Sequence, residues 1–298
     1  MRRLFLLLLL LLAATGLPSA QSTQPIVRAP HLPPIPRDGQ GTSTAVTPIL
    51  IYHSIRPYID SDSPAVRRYI ATPDTLEKEL AYLKDNGYTS VTFDDLANRL
   101  TKGTALPAKP VTISFDDNWQ SQYVYAVPLL KKYGFTATFY IWVVVVGMKN
   151  HMTWDEVREI SAAGMQIGCH TWTHPFLTRV KDDQALKREI LGAKQRIEAE
   201  IGKPVTSIAY PFGQYDQRVV DAVKEAGFTS ARSTWPGVVH STEGLFSLTG
   251  LIRTESTASL VDAMTGYLAQ ATPSVDGAAG AILGLEPGDG TAASPATP

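Results

Sequence analysis

Two adjacent carboxylates, Asp116 and Asp117, close the apolar run 111–115, and two histidines four residues apart, His170 and His174, close another at 165–169. One carboxylate and two imidazoles can hold a divalent metal while leaving coordination positions open. The second carboxylate is then free to take a proton from water. That is the minimum equipment for metal-assisted hydrolysis. The competing reading is a solvated acidic turn and two unrelated loop histidines beside Pro175. Asp117 decides for the metal, because it completes a three-ligand set with His170 and His174. A closed cysteine-type zinc site is disfavoured, since Cys169 is the only cysteine, and it reads as a buried structural thiol.

Two further positions belong with these. His53 ends the apolar run 49–52 and is a candidate general acid, although most such histidines are ordinary packed residues. The turn Tyr210-Pro211-Phe212-Gly213 follows another strand-like run. Its Pro and Gly fix a sharp bend that can aim a backbone N–H at a developing oxyanion, or can be a bare turn. Asp94-Asp95 is a second acidic pair, but it opens a helical segment and reads as a cap. Other chemistries lack their signatures. No Gly-x-Ser-x-Gly elbow and no Gly-x-Gly-x-x-Gly after a strand occur, and Ile197 stands where a phosphate loop before Gly202-Lys203 needs glycine.

These groups need a scaffold, and the chain alternates strand and helix signals. Strand-like runs are expected at 49–53, 88–93, 111–115, 135–146, 165–169, 205–210, 228–232 and 248–253. Amphipathic helices are expected at 73–86, 94–101, 119–133, 154–163, 182–201, 216–226 and 257–270, several stopped by glycine. Repeated βα units with apolar strands imply a parallel sheet covered by helices. Seven or so units favour a closed or nearly closed barrel over a doubly wound sheet. In such a barrel the functional groups gather at the C-terminal strand ends, and His53, Asp116-Asp117, His170 and the loop after Tyr210 all fall there.

At 298 residues and 44% hydrophobic content the chain can bury a large core. A formal charge of −1 gives no reason to expect a nucleic-acid partner. Residues 1–20 read as a signal peptide, with Arg2-Arg3 followed by an apolar run too short to span a bilayer comfortably. Its removal takes two arginines and lowers the formal charge to −3. The mature chain is then expected to carry no transmembrane span and to be secreted or held in the cell envelope. Residues 21–45 read as a flexible linker, 46–271 as a single catalytic domain, and 272–298 as an Ala/Gly/Pro-rich tail.

With these residues in hand the chain resembles the polysaccharide deacetylases, the carbohydrate esterases with a NodB-homology domain. Ser114-Phe115-Asp116-Asp117-Asn118 is similar to their first motif, and His170-Thr171-Trp172-Thr173-His174 to their second. The strings 133–139 and Met152-Thr153-Trp154 also look like the family. The resemblance implies a distorted (β/α)7-type barrel. It also implies metal-dependent removal of N-acetyl groups from an N-acetylglucosamine polymer, with zinc the usual ion. Carried over, Asp116 would be the general base, and Asp117, His170 and His174 would hold the metal. Phe212 would lend its N–H to the oxyanion. The chain departs from the family where Ala209 replaces an arginine that orients the base, where only Trp235 remains of the fourth motif as a groove wall, and where no Leu-x-His follows 251–253.

The subgroup acting on poly-β-1,6-N-acetylglucosamine is similar in opening with a strand that ends Tyr-His. That likeness implies His53 as the acid and Ile51 as a wall of the acetyl-methyl pocket; apart from the likeness, Arg253 is a candidate to replace the missing arginine in part. An O-acetyl esterase and a non-catalytic glycan-binding module are the alternative readings.

Overall fold

The computed structural model describes residues 43–253 and 257–271. The expected signal peptide, most of the linker and the tail lie outside the described residues. Twelve strands are formed: β1 (Thr44–Val46), β2 (Ile49–Tyr52), β3 (Ser54–Ile55), β4 (Ile70–Ala71), β5 (Thr89–Ser90), β6 (Pro110–Phe115), β7 (Thr138–Ile141), β8 (Gln166–Cys169), β9 (Ser207–Ala209), β10 (Ser230–Arg232), β11 (Val239–Ser241) and β12 (Leu251–Ile252). The helices are α1 (Pro64–Arg67), α2 (Pro73–Asp85), α3 (Phe93–Lys102), α4 (Val127–Tyr133), α5 (Trp154–Ala162), α6 (Asp183–Lys187), α7 (Ala193–Ile201), α8 (Gln217–Glu225) and α9 (Thr257–Ala271). Two π-turns, Gln122–Ala126 and Arg188–Gly192, run directly into α4 and α7.

The main sheet has the order β10-β9-β8-β7-β6-β2-β12, every pair parallel, with β5 added beside β6. It curls into the expected barrel. The seam between β10 and β12 is not a full ladder. Leu248 bridges it, donating to Ala231 O (3.0 Å) and accepting from Ser233 N (2.8 Å).

Strand parity separates two environments. Leu50, Tyr52, Ile113, Phe115, Phe139, Ile141, Ile167, Cys169 and Ile208 face outward into one large core with the helices. The other parity fills the barrel: Ile49 and Ile51 on β2, Thr112 and Ser114 on β6, Thr138 and Tyr140 on β7, Gly168 on β8, Ser207 and Ala209 on β9. Tyr140 spans this interior, its hydroxyl 2.7 Å from Ser207 Oγ. Gly168 makes room for it: a Cβ there would sit 2.5 Å from the Tyr140 ring.

The N-terminal mouth is plugged by α3. Its Phe93, Leu96 and Leu100 cluster with Ile49, Ile51 and Tyr140, and Phe93 meets Tyr140 edge-on at 5.5 Å. A capping box fixes where α3 begins, with Thr92 Oγ1 accepting from Asp95 N (3.1 Å) and Asp95 accepting from Thr92 N (2.8 Å). The cap reading of Asp94-Asp95 is therefore right for Asp95. With the N-terminal end closed, a ligand can enter only at the C-terminal rim.

Several local expectations are corrected. The run 135–146 is a strand only over Thr138–Ile141; Val143–Val145 forms a 3-10 turn, because Val143 N and Val144 N bond to the carbonyls of Thr171 and Trp172 instead of continuing the ladder. The run 88–93 keeps strand pairing only at Thr89–Ser90 before the α3 cap intervenes. Thr44 and Ala45 read as linker, yet Thr44–Val46 pairs antiparallel with Val239–Ser241, a contact that local composition cannot reveal.

Candidate active site

The inward parity of each strand delivers one polar residue to the rim. Ile49 and Ile51 lead to His53, Thr112 and Ser114 to Asp116, Gln166 and Gly168 to His170, and Ser230 to Arg232. His53, Asp116 and His170 line a cavity of about 570 Å³ at the C-terminal ends of the strands, and the fully buried Arg232 reaches it through Asp116. Asp117, His174 and Phe212 also line it.

The two aspartates diverge because the backbone turns left-handed after Asp116, with φ 71° at Asp117 and 41° at Asn118. Asn118 stabilises this turn: its Oδ1 accepts from Trp142 N (2.8 Å) and its carbonyl from Met152 N (2.9 Å). Thr171 (67°), His174 (60°) and Phe212 (58°) also have positive φ. Five non-glycine residues in this sparsely allowed region therefore lie in the three loops that follow β6, β8 and β9. Each such residue costs on the order of 1–3 kcal/mol, and such strain concentrates where geometry serves a site.

Asp117, His170 and His174 form one cluster, their ligand atoms all within 4.8 Å of one another. Asp117 Oδ1 is 3.5 Å from Nε2 of each histidine, and the two Nε2 atoms are 3.1 Å apart. His170 Nδ1 lies 2.7 Å from Ala209 O and must donate to it, so Nε2 presents a lone pair to the cluster. Asp117 Oδ1 is buried and has no hydrogen-bond partner among the described residues.

The electrostatics agree. Burial pushes Asp117 up, but contact with His170 and the charges of the three nearby histidines outweigh it and hold the carboxyl far below its usual range. Burial lowers His170, yet Asp117 and Asp116 reverse this and raise it. Burial and the neighbouring His170 push His174 down to about 4. A carboxylate oxygen left without a hydrogen bond among the described residues, converging with two imidazole nitrogens, fits a divalent cation of the zinc type.

Asp116 faces the other way. Arg232 Nη2 donates to Asp116 Oδ1, and both side chains are buried. Burial pushes the Asp116 carboxyl up, but the Arg232 guanidinium, aided by His170 and His53, holds it below the ordinary value. The Arg232 guanidinium also lies 5.0 Å over the Tyr140 ring. His53 Nε2 stands 3.9 Å from Asp116 Oδ2, with its ring edge-on to Tyr69 at 5.1 Å.

Arg232 corrects one expectation. Arg253 does not reach Asp116; it pairs with Glu79 at 2.5 Å, which also accepts from Tyr52 Oη at 2.6 Å, so it ties α2 to the strands. The arginine missing at Ala209 is supplied from the next strand, where Arg232 is the registered partner of Ala209. The signal was present: Arg232 shares the inward parity of Ser230 at the end of an expected strand. Ile51 and Trp235 are corrected too. Ile51 is fully buried inside the barrel, below the rim. The apolar wall is built from Val66, Tyr69, Ile70 and Ile252, with Trp119 rather than Trp235 contributing the tryptophan.

Two buried groups that local sequence does not flag hold the loops. Glu189, in the π-turn before α7, accepts from Thr173 N (2.8 Å) and Thr173 Oγ1 (2.6 Å) and so fixes the loop between His170 and His174. Gln122, in the π-turn before α4, donates to the carbonyls of His53 (2.8 Å) and Asp116 (2.6 Å). π-turns recur at functional sites because the extra residue re-aims a side chain.

Comparison with known proteins gives the family. The family model for polysaccharide deacetylases matches residues 103–231. YxkH of Bacillus subtilis, named for the polysaccharide deacetylases, is 30% identical over 266 residues, spanning 83% of this chain and 92% of its own. The chain belongs to the polysaccharide deacetylase family. The poly-beta-1,6-N-acetyl-D-glucosamine N-deacetylase of Staphylococcus aureus is 25% identical, covering 60% of this chain and 68% of that one. Among solved structures, the deacetylase PplD of Streptococcus pyogenes, in complex with acetate, superposes with a TM-score of 0.67 at 25% identity. It covers 74% of this chain and 99% of its own. BC0361, a polysaccharide deacetylase from Bacillus cereus, gives 0.65 at 27% identity over 74% and 69% of the two chains. As a polysaccharide deacetylase this protein is a hydrolase acting on acetylated glycans. Among the described residues no helix is long and apolar enough to cross a membrane.

Proposed function

We propose that this polysaccharide deacetylase is a metal-dependent N-deacetylase of an N-acetylglucosamine-containing polysaccharide, releasing acetate. The observation that carries the reading is the placement of two unlike half-sites on one cavity. Asp117, His170 and His174 form a cation cluster on one side, and Asp116 and His53 a proton-handling group on the other, with the buried Arg232 bonded to Asp116.

Asp117, His170 and His174 would hold the ion, zinc by the chemistry of the donor set. A divalent cation there supplies Lewis acidity, polarising an acetyl carbonyl and making water more acidic. Asp116, kept ionised by Arg232, takes the proton from the attacking water. His53, on the other side of Asp116, hands a proton to the departing nitrogen so that amine and acetate separate. Phe212 lines the cavity with a left-handed backbone, and its N–H would donate to the oxyanion of the tetrahedral species. Val66, Tyr69 and Ile70 keep this chemistry out of bulk water. The apolar leader at residues 1–20 suits export to where such glycans lie, and we place the protein in the envelope or outside the cell.

A glycan amide has a poorer leaving group than an ester, so it needs the protonation that His53 can give; an O-acetyl esterase needs it less. A non-catalytic binding module would have no need of an arginine on the base, and Arg232 stands bonded to Asp116 although Ala209 replaces the family arginine. The test is acetate release by the purified full chain with zinc, on a panel of N-acetylglucosamine oligomers and O-acetylated xylan, with Asp116→Asn as control. Release from the amide substrates that needs both zinc and Asp116 supports the proposal. Release from O-acetyl substrates alone, or none from either, overturns it.

A further inference from the structure

His53 poses a positioning problem. Its Nδ1 is buried and meets no hydrogen-bond partner among the described residues, so no carboxylate or carbonyl orients the ring in the usual way. The nearest charged group, Asp116, is 3.9 Å from the other ring nitrogen, beyond a hydrogen bond. The two residues lie on neighbouring strands, β2 and β6, whose ladder ends at the pair Tyr52 and Phe115, with a last bond from Asp116 N to Tyr52 O (2.9 Å). Beyond that point nothing in the sheet fixes one strand end against the other.

Gln122 acts at that point. Its single Nε2 donates one hydrogen to His53 O (2.8 Å) and the other to Asp116 O (2.6 Å), and its side chain is fully buried. The opposite amide orientation would set a carbonyl oxygen against two others, so the chemistry fixes the assignment. Its Oε1 is buried without a hydrogen-bond partner among the described residues, so the residue serves as a double donor. Ser121 reinforces the grip: Ile55 N donates to its Oγ (3.1 Å), and Ser54 Oγ is 3.3 Å away. Both residues stand where the helix after β6 widens into the π-turn Gln122–Ala126.

We infer that Gln122 is a positioning residue which locks the backbone of the acid-bearing strand to that of the base-bearing strand and so sets the His53–Asp116 spacing. This inference rests on the proposed roles of those two residues. A glutamate at 122 lacks the donors, and an asparagine is one methylene short.

The test compares Gln122→Leu, His53→Ala and the double variant in the full chain with zinc. In Gln122→Leu, kcat is expected to fall about 10–100-fold, the effect of a misplacement near 1 Å, with KM and zinc affinity unchanged. Added to His53→Ala, Gln122→Leu should cost under about twofold more, because it acts through that residue. Crystal structures should show His53 displaced from Asp116 while Asp117, His170 and His174 superpose on the wild type. Ser121→Ala, a milder variant, should show the same pattern at smaller size and serves if the leucine variant fails to fold. A His53 that superposes on the wild type in the variants, or an equal loss with and without His53, overturns the inference. Absence of acetate release by the wild type would overturn the proposed function instead, and the crystallographic comparison would still decide the role of Gln122.

Discussion

The half of the site proposed to hold a cation and the half proposed to handle protons are built differently. Two of the three cation ligands, His170 and His174, come from one short loop, and the third, Asp117, from the turn after β6. Their loops are strained and are held by side-chain clamps such as Glu189. The proton-handling half draws one residue from each of three strands, and the bond that sets the state of Asp116 joins residues 116 apart in sequence. The first half is a local motif that needs the fold only to bring Asp117 near. The second exists only because the barrel closes.

That contrast predicts different failures. The largest effect should come from His174→Ala: acetate release falls to background, and zinc affinity measured by titration collapses with it. Chelation should then leave the variant's melting temperature unchanged, whereas it lowers that of the wild type by removing up to the ~2.7 kcal/mol of stability that a ligand at a hundredfold its Kd contributes. Next, His53→Ala should reduce kcat about 10²–10⁴-fold while zinc still binds at wild-type affinity. A loss of zinc in that variant would erase the distinction between the halves.

Arg232→Ala strands a buried carboxylate without its partner, which costs on the order of 3–5 kcal/mol of stability as well as activity. Returning the guanidinium on the registered neighbour, as Arg232→Ala with Ala209→Arg, should recover part of both in denaturation and turnover assays. No recovery would mean that the two strand positions are not equivalent. The smallest effect is expected for Glu189→Gln: zinc affinity weakens about tenfold as the histidine loop loosens, and kcat at saturating zinc stays within about twofold.

Legibility follows the same division. Asp116, Asp117, His170 and His174 are readable because motif spacing and strand-end position are properties of short segments. The alternation of strands and helices is readable for the same reason, from periodicity and caps such as Thr92-x-x-Asp95. Arg232 was within reach of strand parity, but its target was not, and Arg253 is an equally plausible arginine until the sheet order is known. Gln122 and Glu189 leave no trace in local sequence, since a π-turn differs from an α-turn by one residue of register. The run at 135–146 stops short as a strand at its C-terminal end because Val143 N and Val144 N donate to carbonyls of the loop after β8.

By itself, then, the sequence determined the βα repeat, the rim on which polar groups stand, and the identity of three donors suited to a cation. Those depend on side-chain periodicity and spacing within about a dozen residues. The tertiary structure alone decided that Arg232 rather than Arg253 faces Asp116, that Ile51 lies beneath the cavity instead of in its wall, and that His53 is set against Asp116 by a buried amide. Each of these is a contact between distant strands, fixed by which strands are neighbours and in what register they pair, and chain-local physics does not encode it.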